Sequence, residues 1–326
     1  MGKRAGSVAA GIDIGGTKTM LMLADEDGII LDKQKVPTPQ APAPELFFAG
    51  LMARLDERLA AVGTDRTALA AVGIGLPGVI DVRAGIADNC TALGWGRVDV
   101  QAEMRKHAAC PVVVENDVNL AALGEGWLGA AKQASDYYLL CIGTGIGSAI
   151  VAGGVLLRGS RFAAGEVGYW VLDDTYPDEF SQDYSSFGRL ESIASGPGIA
   201  ARARQALASF AGRTVLRERC GGAAERLTAG DVLQAAAEGD ALAADIVRQP
   251  LRQLAMAAAN AASLLNPELI VIGGGVADSS PHLCSELQRL AEPLSPNPVR
   301  IVPAEMGNEA GAAGALYAAL RYRKER

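Results

Sequence analysis

The apolar run Gly11-Ile12-Asp13-Ile14 breaks at Gly15-Gly16-Thr17-Lys18-Thr19 and resumes as Met20-Leu21-Met22-Leu23-Ala24, a pattern that predicts a β-hairpin around a double-glycine bend. Residues Gly28 to Val36 read as one more strand, closed by a proline-rich stretch from Pro37 to Pro44. Leu46, Met52, Leu55 and Leu59 recur at helical spacing and predict a helix from about Glu45 to Ala61. Ala70 to Gly75 is a buried strand ending in the turn Leu76-Pro77-Gly78, and Asn89 to Trp95 is loop-like. A helix from about Val100 to His107 precedes the strand Pro111-Val112-Val113-Val114-Glu115-Asn116-Asp117, which delivers an acid to its carboxyl end. Open α/β sheets bind their ligands at such ends.

A helix from Val118 to Leu128 leads to a second copy of the opening design. Leu140-Cys141-Ile142-Gly143 runs into the bend Thr144-Gly145 and a further apolar strand from Ile146 to Val151. Laid over Ile12-Asp13-Ile14-Gly15, it has Cys141 where the first copy has Asp13. Such a repeat implies two similar halves, with nucleotide phosphates between two glycine hairpins. Alanine-rich helices are predicted from Ile199 to Ala262, with breaks near Gly212, Gly221-Gly222 and Gly230. Asn266-Pro267-Glu268-Leu269-Ile270-Val271-Ile272 is a last buried strand feeding Gly273-Gly274-Gly275, and the closing helix, from about Glu309 to Arg323, carries small residues on one side.

Length and composition change this picture little. The 326 residues suffice for two domains, and 49% hydrophobic with 21% charged residues is ordinary for a globular protein. A net charge of −7 argues against a nucleic-acid surface. Five cysteines stand singly without a CxxC pair, which suggests neither a disulfide framework nor a thiolate metal site and points to a reducing compartment. No apolar run reaches the roughly 18 residues of a membrane helix, and Met1 to Ser7 lacks the apolar core of a signal peptide, so the expected location is cytoplasmic.

The chemistry concentrates at the bends. Gly15 and Gly16 allow positive φ and expose backbone N–H groups to an anion, while Thr17 and Lys18 add a hydroxyl and a cation. The spacing is not that of a Walker A loop, because a strand follows instead of a helix. Gly273-Gly274-Gly275 does not continue as a dinucleotide fingerprint either.

Asp13-Ile14-Gly15-Gly16-Thr17-Lys18, Glu115-Asn116-Asp117-Val118-Asn119, Gly143-Thr144-Gly145-Ile146-Gly147, Gly165-Glu166-Val167-Gly168 and Ile272-Gly273-Gly274-Gly275 stand in an order that resembles the ROK group of sugar kinases and sugar-responsive repressors. The resemblance covers nearly the whole chain. It implies an α/β, actin-like ATPase (ribonuclease H-like) fold, with two α/β domains around a cleft. The boundaries read from it are 1–117 plus 309–326 for the smaller domain and 118–308 for the larger. The implied activity is ATP-dependent phosphorylation of a hexose hydroxyl, by default glucose to glucose 6-phosphate. Kinases for an amino sugar, an N-acetylated hexose, fructose or a glucoside are alternatives, as is a non-catalytic sugar-sensing regulator. The family's repressors carry a DNA-binding domain before the first hairpin; only ten residues precede Gly11 here, which favours the kinase. No nucleic-acid or membrane partner is expected, and the family implies a homodimer.

The resemblance also implies roles. With His107 and His282 the only histidines, neither beside a motif, a carboxylate must take the proton, and Asp117 matches the family's catalytic base. The competing reading has Asp117 simply capping the following helix. Asp13 is the Mg²⁺-side acid, acting through water. Gly15, Gly16, Thr17, Lys18, Thr144 and Gly145 should contact the phosphates, and Gly273 and Gly274 the nucleoside. Asn89, Asn116, Asp117, Glu166, Tyr169 and Glu191 are the sugar-side set; Trp95 is either a stacking platform or core. Zinc-containing members have a His after the Gly-Glu pair and a cysteine-rich loop before the later Glu. Here Tyr169 takes the His position and no cysteine lies between Gly168 and Glu191, so no structural zinc is expected; Tyr169, Trp170 and Phe187 would shape the site instead, and Asp173, Asp174, Asp178, Glu179 and Asp183 form a solvated acidic surface.

Overall fold

The computed structural model describes residues 7–39, 43–172 and 188–324. In chain order the strands are β1 Val8–Ile14, β2 Lys18–Asp25, β3 Ile30–Pro37, β4 Leu69–Leu76, β5 Val79–Asp81, β6 Ile86–Asp88, β7 Val98–Asp99, β8 Val112–Asn116, β9 Tyr137–Ile142, β10 Ile146–Ala152, β11 Val155–Leu157, β12 Leu269–Gly273 and β13 Ile301–Pro303. The helices are α1 Pro44–Ala61, α2 Val100–Arg105, α3 Asp117–Trp127, α4 Arg189–Ala194, α5 Gly196–Ser209, α6 Leu216–Arg219, α7 Ala229–Ala237, α8 Ala241–Leu265, α9 Gly275–Asp278, α10 Leu283–Ala291 and α11 Ala310–Lys324. No described helix is long and apolar enough to cross a membrane.

Two five-stranded sheets carry the repeat read from the sequence. Their orders are β3-β2-β1-β4-β8 and β11-β10-β9-β12-β13, and in each the hairpin (β1-β2 or β9-β10) is antiparallel while the strands on its far side run parallel to the hairpin's first strand. The parallel strands explain the unbroken apolar runs. Strands covered on both faces have no polar side to alternate with, and β4 is buried at seven of eight positions. The edge strand β3 keeps an exposed polar face.

The chain forms two compact units, one of Met1–Gln133, Leu156–Ala164 and Asn308–Arg326, the other of Ala134–Val155 and Gly165–Gly307. The division falls later than the boundary read after Asp117, because α3 packs on α11 inside the first unit. The small residues of α11 explain that packing. A Cβ at Gly314 would overlap the Leu120 carbonyl of α3, lying 2.6 Å from its carbon, and one at Gly73 would lie 2.6 Å from the Ala315 carbonyl carbon. Helix and sheet thus meet backbone to backbone. Gly314→Ala must force α11 and α3 apart, and we expect a loss of about 3 kcal/mol in urea unfolding. Gly96→Ala, with nothing within 4 Å of the added carbon, should be neutral within about 0.5 kcal/mol in the same measurement.

The other face of the first sheet is closed by α1. Its buried residues are Phe47, Phe48, Leu51, Met52, Leu55 and Leu59. Leu46, placed in the stripe by its spacing, is instead 63% exposed, because two adjacent phenylalanines fill that turn of the core. Trp95 belongs to this core too, edge-on to Phe47 with ring centroids 4.7 Å apart and only 6% exposed, so it offers no sugar platform. In the second unit the helical break lies before Gly230. A capping box between Thr228 and Asp231 starts α7 there, and Gly230 sits inside its first turn. Helix α8 ends on Asn266 in the left-handed conformation.

Candidate active site

In the first unit, parallel pairing sets Asp13 beside Gly75 and Gly75 beside Glu115, one register step before Leu76 and Asn116. Asp13 and Asp117 therefore close two strands that flank β4 at the same carboxyl edge. Room for the Asp13 carboxylate is made by two glycines. A Cβ at Gly75 would come to 3.3 Å from Asp13 Oδ1, and one at Gly311 would fall on the carboxylate, 2.5 Å from Cγ. Burial, with the negative charge of Asp117 second and Lys35 opposing, pushes the Asp13 carboxyl up to about 7. An acid held in this way gains from a cation, and its oxygen donors suit Mg²⁺, which takes one or two carboxylates and completes its shell with water and phosphate. Among the described residues no group of three or more His, Cys, Asp and Glu side chains could hold a metal ion.

Asp117 is not the N-cap of the helix it begins. Asn116 is the N-cap of α3, its Oδ1 accepting from Val118 N at 2.9 Å and Asn119 N at 3.1 Å. Asp117 Oδ1 also accepts from Val118 N, at 2.9 Å. The Asn116 amide donates to the Gly78 carbonyl at 3.0 Å, which leaves it one further N–H to offer a ligand. Gly78 has φ +106°, and an added Cβ would sit 2.5 Å from the Asp88 carbonyl, so this turn lies against the strand end that carries Asn89. Asn89 itself holds a left-handed φ of 56°. Asn89, Asn116 and Asp117 are thereby gathered at one edge of this unit. Beneath them Glu115, 3% exposed, pairs with Arg158 at 2.5 Å and accepts from Asn119 Nδ2 and Asn116 N, fixing the strand end from behind. Cys90, close enough for the Asp117 charge to act on it, is pushed up to about 11, chiefly by burial, and stays a thiol.

The first bend is tight but not left-handed. Gly15 N donates to Lys18 O at 3.0 Å, and neither Gly15 nor Gly16 has positive φ, contrary to the conformational reason read for them. What glycine supplies is closeness: a Cβ at Gly16 would lie 3.0 Å from the Ala92 carbonyl. Thr38 braces the bend through its hydroxyl to Gly15 O at 2.7 Å, and Thr17 and Lys18 project exposed from it.

In the second unit Gly143 N donates to Gly145 O at 2.9 Å, closing the bend over Thr144. The Gly165-Glu166-Val167-Gly168 segment lies flat on β10. Gly165, with φ +94°, abuts the Ser148 carbonyl, and a Cβ at Gly168 would be 2.6 Å from the Ile146 carbonyl. This brings Glu166 to Glu191. Burial raises both carboxyls, and the Glu191 charge raises Glu166 further. Tyr169 follows, 58% exposed, while Trp170 packs on the unit's core; Phe187 and the five acidic residues from Asp173 to Asp183 lie outside the described residues.

Gly273 and Gly274 serve the unit's own packing. A Cβ at Gly274, where φ is +90°, would lie 2.5 Å from the Ile142 carbonyl, and one at Gly273 would lie 3.3 Å from Ala304 Cβ. Of these three glycines only Gly275 has open space where a Cβ would stand. Sequence reading passed over Gly196, whose N–H at the start of α5 donates to Gly143 O at 2.8 Å. The positive end of a 14-residue helix thus stands beside the second bend, a place that favours an anion. Gly75 and Gly311 were passed over too; a glycine cradle leaves no trace in spacing.

The ROK family profile matches residues 9–322. The chain belongs to the ROK family. The glucokinase of Halalkalibacterium halodurans is 33% identical over 309 residues, covering 93% of this chain and 92% of that protein. Among solved structures, the ROK family glucokinase of Streptomyces griseus in complex with glucose and AMPPNP superposes with a TM-score of 0.77 at 29% identity, covering 97% of this chain and all of that one. The ROK hexokinase of Thermus thermophilus does so with a TM-score of 0.79 at 27% identity, over 98% of this chain and 100% of that one. This ROK chain has the actin-like ATPase fold.

Proposed function

We propose that the chain is an ATP-dependent sugar kinase that transfers the γ-phosphoryl group to a hexose hydroxyl, with Asp117 as base and glucose as the first acceptor to test. The observation that carries the reading is the acid pair at one sheet edge, with Asp13 cradled by glycines and Asp117 opening α3 directly after its N-cap Asn116. The sugar O–H gives its proton to the Asp117 carboxylate, the oxygen bonds to the γ-phosphorus, and the bond from phosphorus to the bridging oxygen breaks to release ADP. Asn89, Asn116, Glu166, Tyr169 and Glu191 hold the sugar; Gly15, Gly16, Thr17, Lys18, Thr144 and Gly145 hold the phosphates, and Gly273-Gly274 borders the nucleoside. Asp13 would hold Mg²⁺ through water, and the ion would supply neutralisation of charge on the phosphates.

Family resemblance supports glucose, a homodimer and a cytoplasmic location. Tyr169 in the family's His position keeps an amino sugar, an N-acetylated hexose, fructose and a glucoside in the panel, and an intact acid pair speaks against a purely sensing regulator. ADP release from Mg-ATP, measured by a coupled assay across that panel, tests the reading. Turnover that depends on one sugar supports it. Sugar binding without turnover by any member would favour the sensor.

A further inference from the structure

The second bend and the sugar-side carboxylates share one group. Glu191 Oε2 accepts from Ile146 N at 2.7 Å, the first backbone donor after the bend, while its other oxygen has no hydrogen bond among the described residues. Two glycines leave the slot in which this carboxylate lies. A Cβ at Gly145 would lie 2.6 Å from Glu191 Oε2, and one at Gly168 would lie 3.4 Å from the same atom. The space that a side chain at 145 would fill is taken by Glu191, so Gly145 is required by a neighbour placed on the sugar side.

We infer that Glu191 is a positioning residue that ties the two halves of the substrate pair together: one oxygen fixes the Thr144-Gly145 bend through Ile146 N–H, and the other receives a sugar hydroxyl. The inference rests on the kinase reading for what binds, and on hydrogen bonds and sterics for the tie. A sugar hydroxyl that orients the free oxygen also orients the bonded one, so sugar ordering and bend ordering are one event. Sugar and nucleotide then strengthen each other's binding by the same factor, as linkage demands.

The experiment is calorimetric titration of wild type, Gly145→Ala, Glu191→Gln and Glu191→Ala with glucose, or with the best acceptor of the panel, and with AMPPNP, each ligand alone and in the presence of the other. Gly145→Ala should weaken sugar binding about tenfold or more with no nucleotide present, although its residue belongs to the phosphate bend. Glu191→Gln keeps a carbonyl acceptor for Ile146 N–H and should hold AMPPNP affinity within about twofold while weakening the sugar. Glu191→Ala should lose both sugar affinity and the mutual strengthening. Sugar affinity unchanged in Gly145→Ala, or mutual strengthening unchanged in Glu191→Ala, overturns the inference.

Amide hydrogen exchange at Ile146 gives a readout independent of sugar: slow in wild type and Glu191→Gln, fast in Glu191→Ala. Equal exchange in all three refutes the tie, whichever ligands bind. A wild type that binds no sugar while its Ile146 amide behaves as expected overturns the kinase reading and leaves the tie to the bend standing.

Discussion

Asp117→Asn is expected to lower kcat by about 10³-fold while leaving sugar binding within a few-fold of wild type. Removal of a positioned general base costs typically 10²–10⁴-fold, and an amide has no place for the hydroxyl proton. The structure makes the test clean. Because Asn116 is the N-cap of α3, and an asparagine at 117 can still accept the 2.9 Å bond from Val118 N, the helix should keep its start and the protein its melting temperature. Retention of more than about a tenth of kcat, measured at saturating sugar and Mg-ATP, would remove Asp117 from the proton transfer.

Asp13→Asn should do two things that rarely go together: abolish turnover and stabilise the ligand-free protein. Folding raises the Asp13 carboxyl from 3.8 to about 7, so the folded chain binds this proton more tightly than the unfolded one. The cost of ionising it accumulates as pH climbs from about 4 to about 7 and is complete above that. The neutral asparagine escapes it. We expect the variant to exceed wild type by on the order of 3 kcal/mol at pH 8 in metal-free urea unfolding, and to match it near pH 4. The gap should narrow when Mg²⁺ and nucleotide are added, since their charges favour the ionised wild-type acid. A variant less stable than wild type at pH 8 would mean that Asp13 is satisfied in the folded chain by contacts other than a cation.

Much of this was legible in the sequence because its physics is periodic or local. The two hairpins, the buried parallel strands, the closing helix and the repeat that relates the sheets all follow from apolar runs broken by glycine. Asp13 and Asp117 stood out as candidates because an acid at the end of an apolar strand is conspicuous. Meaning at single residues was harder. Gly15 and Gly16 were read as conformational and proved to be matters of clearance; Leu46 fitted the helical spacing yet lost its place in the core to Phe47 and Phe48. The Gly75 and Gly311 cradle, the Gly196 amide at the second bend and the bond from Ile146 to Glu191 join residues between 45 and nearly 300 positions apart in number, or depend on a side chain that is missing. No window along the chain contains them.

The most direct measurement is a ³¹P NMR spectrum of wild-type protein incubated with Mg-ATP and the acceptor sugar. The γ-phosphate resonance is expected to give way to that of ADP together with a new sugar phosphomonoester, in equal amounts and only when sugar is present. ADP accompanied by inorganic phosphate alone, or no change with any sugar of the panel, would contradict transfer to a sugar hydroxyl.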